Sequence, residues 1–582
     1  MPGYRRPDND KHPVMNKQAI PNGKKSGLWM AIGANVLLAT WFLSLLDTHF
    51  LREVGGSLHS FGSTWGDLPW HLSIIMGFVE RGWGSLIQDP VYAGAKLVYP
   101  FLPEVLPGLL VKAGLSMRSA LIATTWPFLI LFTSLLTLFT YRITRSAYTA
   151  ALAPLLFCLT GSVIGTYHFL QDVSASGSGI LSSFWTVGQS YANAFDRGLH
   201  FTNTVSDFLL PQRTIVFGLV LGLGALLLLW SYWSRGSRKN LLWAGLCIGL
   251  LPLWHTHSFV ALCIITGTLC LVDIGQSLVM HDRQPFPVLK LWTMHFALLV
   301  ILAIPQLLLV LPEDGSSFFR WQVGWLAGNS SEASGSWLLF WLRNLGAYFF
   351  LIPGALVAVW RHERRDATGD RSYPVTTFYL GFLAVFIVAN LLVFQPWDWD
   401  NMKLLLWWFL GSTVLILHGS VLLVRYLETT ARTIRFPAYA ILAIVGFSIV
   451  STGLLSARYE SGKSVELFSI ADRQLAQFVR ENTPSDAIFL TSERHNHPVT
   501  TLAGRRIYLG YGGWLWSHGI DPTERTARVK LMFAGDDRAG GLLREEGIEY
   551  VIIERGMPEG SGFDDNAEKL FDNGNFGLYQ IR

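Results

Sequence analysis

What most constrains this chain is a succession of apolar blocks, each near the roughly 20 residues a helix needs to cross a bilayer. They fall at about 27–46, 120–140, 147–168, 213–233, 240–254, 257–280, 290–311, 337–360, 374–394, 402–424 and 436–456. A backbone in hydrocarbon must satisfy its own polar groups, so such blocks are read as helices. Composition agrees. Of 582 residues, 51% are hydrophobic and 15% charged, where soluble domains carry about a quarter charged residues. Many of the 23 Trp stand beside block ends, where indoles favour the membrane interface. The fold class expected is an all-α polytopic membrane protein of about 11–13 spans. The short stretch 104–115 is expected to be re-entrant.

Basic residues set the expected orientation. Lys24 and Lys25 precede the first block, and Ser234–Lys239, Arg361–Arg365 and Arg425–Arg435 are basic loops. The positive-inside rule puts all of these, with Arg142 and Arg145, in the cytoplasm. Residues 1–26 then form a disordered cytoplasmic tail and 27–456 the transmembrane domain, with an outer loop at 47–103. Residues 457–582 form a small soluble extracytoplasmic α/β domain. In that last region helices are expected at 467–481 and 523–533, with strands near 487–490, 506–509, 550–553 and 578–581. The plasma (inner) membrane is expected, with the endoplasmic reticulum as the alternative. Asn329-Ser-Ser331 is a formal glycosylation sequon in an outer loop. All four cysteines lie inside apolar blocks, which excludes a disulfide framework in the outer domain. The net charge of +4 sits in short loops and points to no nucleic-acid partner.

Polar residues at the membrane edge are costly and functional by default. In the topology above they all approach the outer side. Gly62-Ser-Thr-Trp-Gly-Asp67-Leu-Pro-Trp-His71 places a carboxylate and an imidazole four residues apart. The helix starting near Pro69 would carry Ile74, Ile75, Phe78 and Val79 on one face, as a surface helix on the bilayer. Asp67 reads as a catalytic residue or as a helix cap, where Asp before Pro is favoured. Pro211-Gln-Arg213 enters a span, and Arg343-Asn344 lies inside an apolar block. His255 and His257, two apart, would diverge on an unbroken helix. Gln395-Pro-Trp-Asp398-Trp-Asp400-Asn-Met-Lys403 holds two carboxylates suited to a divalent cation such as Mg or Mn, or to sugar hydroxyls, and a lysine suited to phosphate. A self-neutralised turn is the plainer alternative. The loops Arg494-His-Asn-His497-Pro and Gly510–Gly519 resemble carbohydrate-facing turns, or a surface docking onto the membrane edge.

This arrangement resembles the GT-C superfamily of membrane glycosyltransferases. The likeness rests on the cytoplasmic N-terminus, the long first outer loop with Asp67 soon after the first span, Val98-Tyr-Pro100-Phe before the next apolar helix, and the outer C-terminal domain. Leu210-Pro-Gln-Arg213, His255-Thr-His257-Ser, Gln395–Lys403 and His495-Asn-His-Pro498 resemble stretches of large prokaryotic multi-span proteins. Asp67 is followed by Leu68 where the superfamily has an adjacent acidic pair, and Asp47 is a second candidate carboxylate. The resemblance implies an outer-facing enzyme moving sugar from a polyprenyl-phosphate donor to a glycan, lipid or protein acceptor. Asp67 and His71 would be catalytic, and Arg213, His255, His257, Arg343, Asp398, Asp400 and Lys403 would bind substrate. Any cofactor would be a divalent cation at Asp398 and Asp400. A lipid or glycolipid transporter and a non-catalytic assembly protein are the other readings.

Overall fold

The computed structural model describes residues 22–201, 203–279, 284–312, 319–329, 336–365, 374–534, 539–557 and 567–582. Most of the expected 1–26 tail, and two of the three sequon residues, lie outside them. The protein is a multi-pass membrane protein. Among the described residues seven helices are long and apolar enough to span: Lys25–His49, Met117–Thr144, Arg213–Arg235, Thr256–Val279, Pro285–Val310, Asp398–Thr429 and Arg435–Glu460. Two further pairs, Ala147–Leu159 with Val163–Ser176 and Trp337–Leu345 with Tyr348–Arg365, are bent by 52° and 91° at short breaks. Each apolar block of the sequence thus forms helix. The span count by length is seven, or up to nine if each bent pair crosses once. The difference from about 11–13 lies in two short helices, Arg238–Gly249 with 12 residues and Pro374–Ala389 with 16. At 1.5 Å per residue the first reaches only about 18 Å.

The breaks have local causes. Between Leu159 and Val163 the chain runs against the Arg435–Glu460 helix so closely that a Cβ on Gly161 would lie 2.8 Å from Thr452 Cβ. The 91° bend falls at Gly346, whose φ of +54° suits a residue without a side chain. The stretch expected to be re-entrant forms the helix Leu102–Lys112, only 11 residues long. It packs on the Leu68–Arg81 helix.

Outside the bundle lies a mixed sheet of five strands, in the order Arg506–Ile507, Ile488–Leu490, Tyr550–Glu554, Phe576–Ile581, Ala567–Asp572. The first three run parallel, and Phe576–Ile581 runs antiparallel to both of its neighbours. The helix Ile470–Asn482 packs beside it, started by a capping box between Ser469 and Asp472. This α/β lobe is not separate from the loop that follows the first span, residues 50–101. Strand Ser57–Phe61 pairs with Ser464–Phe468. One core joins Trp70, Ile74, Phe78, Val91 and Phe101 of that loop to Leu475, Phe489, Val551 and Leu578 of the lobe.

The Leu68–Arg81 helix is the joint. Leu68, Leu72 and Ile75 enter the bundle core, while Trp70, Ile74 and Phe78 enter the lobe core. The apolar face expected to lie on lipid is covered by protein instead. Arg505 and Arg480 each reach Glu80 at 3.0 Å and fix the lobe on this helix.

Candidate active site

The stretch Gly62–His71 is held at its start by the ends of the first and last spans. Gly62 has φ +54°, and a Cβ there would lie 1.7 Å from Glu460 Oε2. That oxygen accepts hydrogen bonds from Ser63 N at 2.9 Å and Ser63 Oγ at 3.2 Å. It also faces His49 Nε2 at 3.1 Å, with both side chains closed to solvent. At its other end the stretch enters the Leu68–Arg81 helix. Asp67 holds the N-cap position, but its backbone is helical (φ −95°, ψ −24°) and its carboxylate takes no capping bond. A capping Asp is normally extended, with its side chain turned back to the first-turn amides. Asp67 is therefore not explained as a cap.

The carboxylate is engaged elsewhere. Asp67 keeps partial solvent access, yet burial pushes its pKa above the ordinary carboxylate range. His71 and Lys403 oppose that rise, Asp400 adds to it, and the Gln212 amide lies within hydrogen-bonding reach. Residues from the loop after the first span, the foot of the Arg213–Arg235 helix and the head of the Met402–Thr429 helix thus meet at one point. Lys403 Nζ stands 3.1 Å from Asp400 Oδ1, and both side chains are largely buried.

Three histidines share the field of Lys403: His255, His257 and His518. The helix Thr256–Val279 begins after His255, so the two sequence-adjacent histidines do not diverge, and their rings lie 5.7 Å apart. Burial first, and then Lys403, lowers His255 and His518 to about 3. Both are neutral imidazoles at physiological pH. His257 Nε2, His518 Nδ1 and Trp70 Nε1 are buried with no protein hydrogen-bond partner. Native proteins rarely leave such atoms idle, and a bound ligand is a standard explanation.

The α/β lobe closes over this point with rings. Trp65 meets His495 at 5.5 Å, and Trp70 meets His518 at 4.6 Å and Trp514 at 5.3 Å. Tyr99 lies 5.7 Å from Trp70 and 5.9 Å from His518, and burial raises its phenol pKa. Aromatic faces beside convergent polar groups are what a sugar-binding surface needs.

Not every residue singled out in the sequence joins this cluster. His71 and Arg213 lie behind Asp67, in a buried network. His71 Nδ1 is 2.9 Å from Glu104 Oε1, and its Nε2 faces the Pro211 carbonyl at 3.2 Å. Arg213 pairs with Glu104 through Nη1 and donates to Thr125 Oγ1 at 3.0 Å and Thr124 Oγ1 at 3.2 Å. Its guanidinium is thus committed to protein partners. Asp398 turns towards Arg320, 3.9 Å away, and accepts from Gln322 at 3.3 Å. Asp400 turns to Lys403, so the two carboxylates part. Arg343 is exposed; its neighbour Asn344 points inward and accepts from the amides of His200 and Phe201 at 2.7 and 2.8 Å.

Among the described residues, no three His, Cys, Asp or Glu side chains converge as metal ligands do. Between Asp67 and Asp400 the local cation is the Lys403 ammonium, and that donor set does not suit a divalent ion. Gln212, Tyr99, Glu104 and His518 were not among the expected site residues. The signals for them were thin: Glu104 is an isolated acid in an apolar helix, and His518 lies in a loop 115 positions beyond Lys403.

No protein-family model matches the chain, and no curated protein matches it. Solved structures do. Oligosaccharyltransferase from Archaeoglobus fulgidus, in complex with Zn and sulfate, aligns with 89% of this chain and 67% of its own at 13% identity, TM-score 0.53. The same enzyme tethered with an acceptor peptide containing the NVT sequon aligns over 90% and 69%, at 12% identity and TM-score 0.51. ArnT from Cupriavidus metallidurans, bound to undecaprenyl phosphate, aligns over 96% and 98%, at 12% identity and TM-score 0.46. Over 89–90% of its length this chain thus shares the fold of the Archaeoglobus fulgidus oligosaccharyltransferase.

Proposed function

We propose that the protein is an outer-facing glycosyltransferase that moves a sugar from a polyprenyl-phosphate donor to an acceptor hydroxyl, with Asp67 as general base. The observation that carries this reading is the Asp67 carboxylate. It is released from capping, raised in pKa, and set in the field of Lys403. A base within reach of the acceptor proton contributes typically 10²–10⁴-fold, and most when its pKa approaches the working pH. Asp67 takes the hydroxyl proton as the acceptor oxygen bonds to the anomeric carbon. The bond from that carbon to phosphate oxygen breaks, and the polyprenyl phosphate leaves with the electron pair. Lys403 offsets the charge growing on that oxygen, as fixed cations do for developing anions.

The neutral imidazoles of His255 and His518 can donate to phosphate or sugar oxygens without repelling Lys403, and His257 Nε2 is a further ring nitrogen without a protein partner. Trp65 and Trp514 offer ring faces to the sugar, with Trp70 packed behind Trp514. Arg213, expected to hold phosphate, serves instead with Glu104 and His71 to fix the wall that carries Asp67. The fold likeness to an oligosaccharyltransferase supports glycosyl transfer as the reaction class.

The test is purified protein with a labelled polyprenyl-phosphate sugar, wild type against Asp67→Asn. Loss of transfer with retained donor binding is expected. Equal turnover by the two proteins would remove Asp67 from the mechanism. Movement of intact donor across a vesicle membrane would favour the transporter reading.

A further inference from the structure

At the end of the bundle away from Asp67, a second site is formed between spans. The Arg213–Arg235 helix has 23 residues, about 34 Å at 1.5 Å per residue, so Arg235 lies a membrane thickness from the Arg213–Glu104 pair. There a cleft of about 210 Å³ opens between Met117–Thr144, Arg213–Arg235 and Arg238–Gly249. Arg142, Arg235, Ser231 and Asn240 line its mouth, and Leu138 and Leu227 line its apolar wall. Asn240 Nδ2 donates to Ser231 Oγ at 2.8 Å, which ties the two polar side chains of the cleft together.

Each arginine stands in the last turn of its helix, where the helix dipole favours a cation. The dipole explains their tolerance there but not the cavity between them. Among the described residues neither arginine forms an ion pair with a carboxylate. Two uncompensated cations therefore meet at the depth where apolar span gives way to basic loop, above a wall of leucine. That is the chemistry of a phosphate headgroup with its acyl chains alongside.

We propose that this cleft binds an anionic phospholipid from the leaflet opposite the Asp67 site. Its phosphate is held by Arg142 and Arg235, its ester carbonyls and head group lie near Ser231 and Asn240, and its chains run against Leu138 and Leu227. The site is independent of the glycosyl-transfer reading.

The experiment is native mass spectrometry of the full chain, released from nanodiscs containing equal phosphatidylglycerol and phosphatidylcholine of the same acyl chains. Wild type should retain phosphatidylglycerol selectively. Each of Arg142→Gln and Arg235→Gln should weaken retention about fivefold, the effect of one basic residue near a headgroup. Arg142→Lys with Arg235→Lys keeps both charges and should retain most binding, which separates lost charge from lost folding. Arg145→Gln, outside the cleft, should change nothing. Equal retention of the two lipids, or unchanged retention in the Gln variants, would overturn the proposal. So would full displacement of phosphatidylglycerol by millimolar inorganic phosphate, since the site would then take the free anion.

Discussion

Arg213 closes its guanidinium on Glu104, and neither side chain has any exposed surface. Removing one partner of a buried pair leaves an uncompensated charge and costs about 3–5 kcal/mol, whereas replacing both with apolar residues is often neutral. Glu104→Gln should therefore lower folded yield and thermal midpoint in detergent, while the protein that does fold keeps its donor affinity. Glu104→Met combined with Arg213→Met should recover much of the stability. A pure rise in KM from Arg213→Met, without loss of stability, would return Arg213 to a substrate role.

The pH profile of transfer should belong to Asp67. A base works deprotonated, and this carboxyl is raised, so the rate should climb with pH along an acidic limb above the ordinary carboxylate range. Asp400→Asn removes a neighbouring negative charge and should move the limb to lower pH. Lys403→Met removes a positive one and should move it higher. His255 and His518, at about 3, should add no inflection above pH 5. Rate profiles of the three proteins decide this, and an unmoved limb in both variants would assign it elsewhere.

Lys403→Met should also slow the chemical step. Loss of one fixed group that stabilises developing charge costs on the order of 10²–10³ in kcat. Single-turnover transfer with prebound donor is the measurement. An effect confined to donor affinity would make Lys403 a binding residue only.

Gly62→Ala should disturb the site from outside it. The added Cβ would meet Glu460 Oε2 at 1.7 Å, in a backbone conformation that L residues rarely adopt. The Ser63 bonds to Glu460 should weaken, and Asp67 should lose its fixed approach. Transfer should fall at least tenfold while helix content by circular dichroism stays near wild type. Unchanged transfer would show that Asp67 is held from its helix alone.

Asp89, in the loop after the first span, gives a pH signature where that loop packs on the lobe. It is fully buried and accepts Val91 N at 2.8 Å. Burial, offset by the Val91 and Tyr92 amides and Arg525, raises its pKa from 3.8 to about 7. The folded state thus binds this proton more tightly than the unfolded chain. The stabilisation is full below about pH 4 and is lost as pH rises through 7, by at most about 1.4 kcal/mol per unit. The stability of wild type relative to Asp89→Asn should therefore fall between pH 5 and 8. A flat difference in thermal midpoint would refute it.

Hydrophobic periodicity made the bundle legible, because each block long enough to span had to be helix. It did not reveal the bends at Gly161 and Gly346, which depend on neighbours distant in sequence. The lobe strands were legible where β-branched residues cluster, as in Tyr550–Glu554. Ser464–Phe468 was not, since its partner Ser57–Phe61 lies far away in the chain. Asp67 and Lys403 stood out as charges at a membrane edge, and the structure brings them together. Arg213 stood out for the same reason, but its function is read from Glu104, whose proximity no spacing rule predicts. The direction of Asp398 is likewise set by Arg320, 78 positions earlier in the sequence.

The clamp between His49 and Glu460 joins residues 411 positions apart. During translation, Gly62–His71 is synthesised early and then waits, without Glu460, Lys403 or the Trp514 and His518 roof. A nascent chain can insert most of its helices and still have no site. Until the lobe is made, the lobe-facing side of the Leu68–Arg81 helix and the Ser57–Phe61 strand edge remain bare, open to chaperones and proteases. The residues that complete the site are thus the same ones that cover this helix and this strand edge, so a chain that has not folded its lobe is marked by the surface it leaves bare.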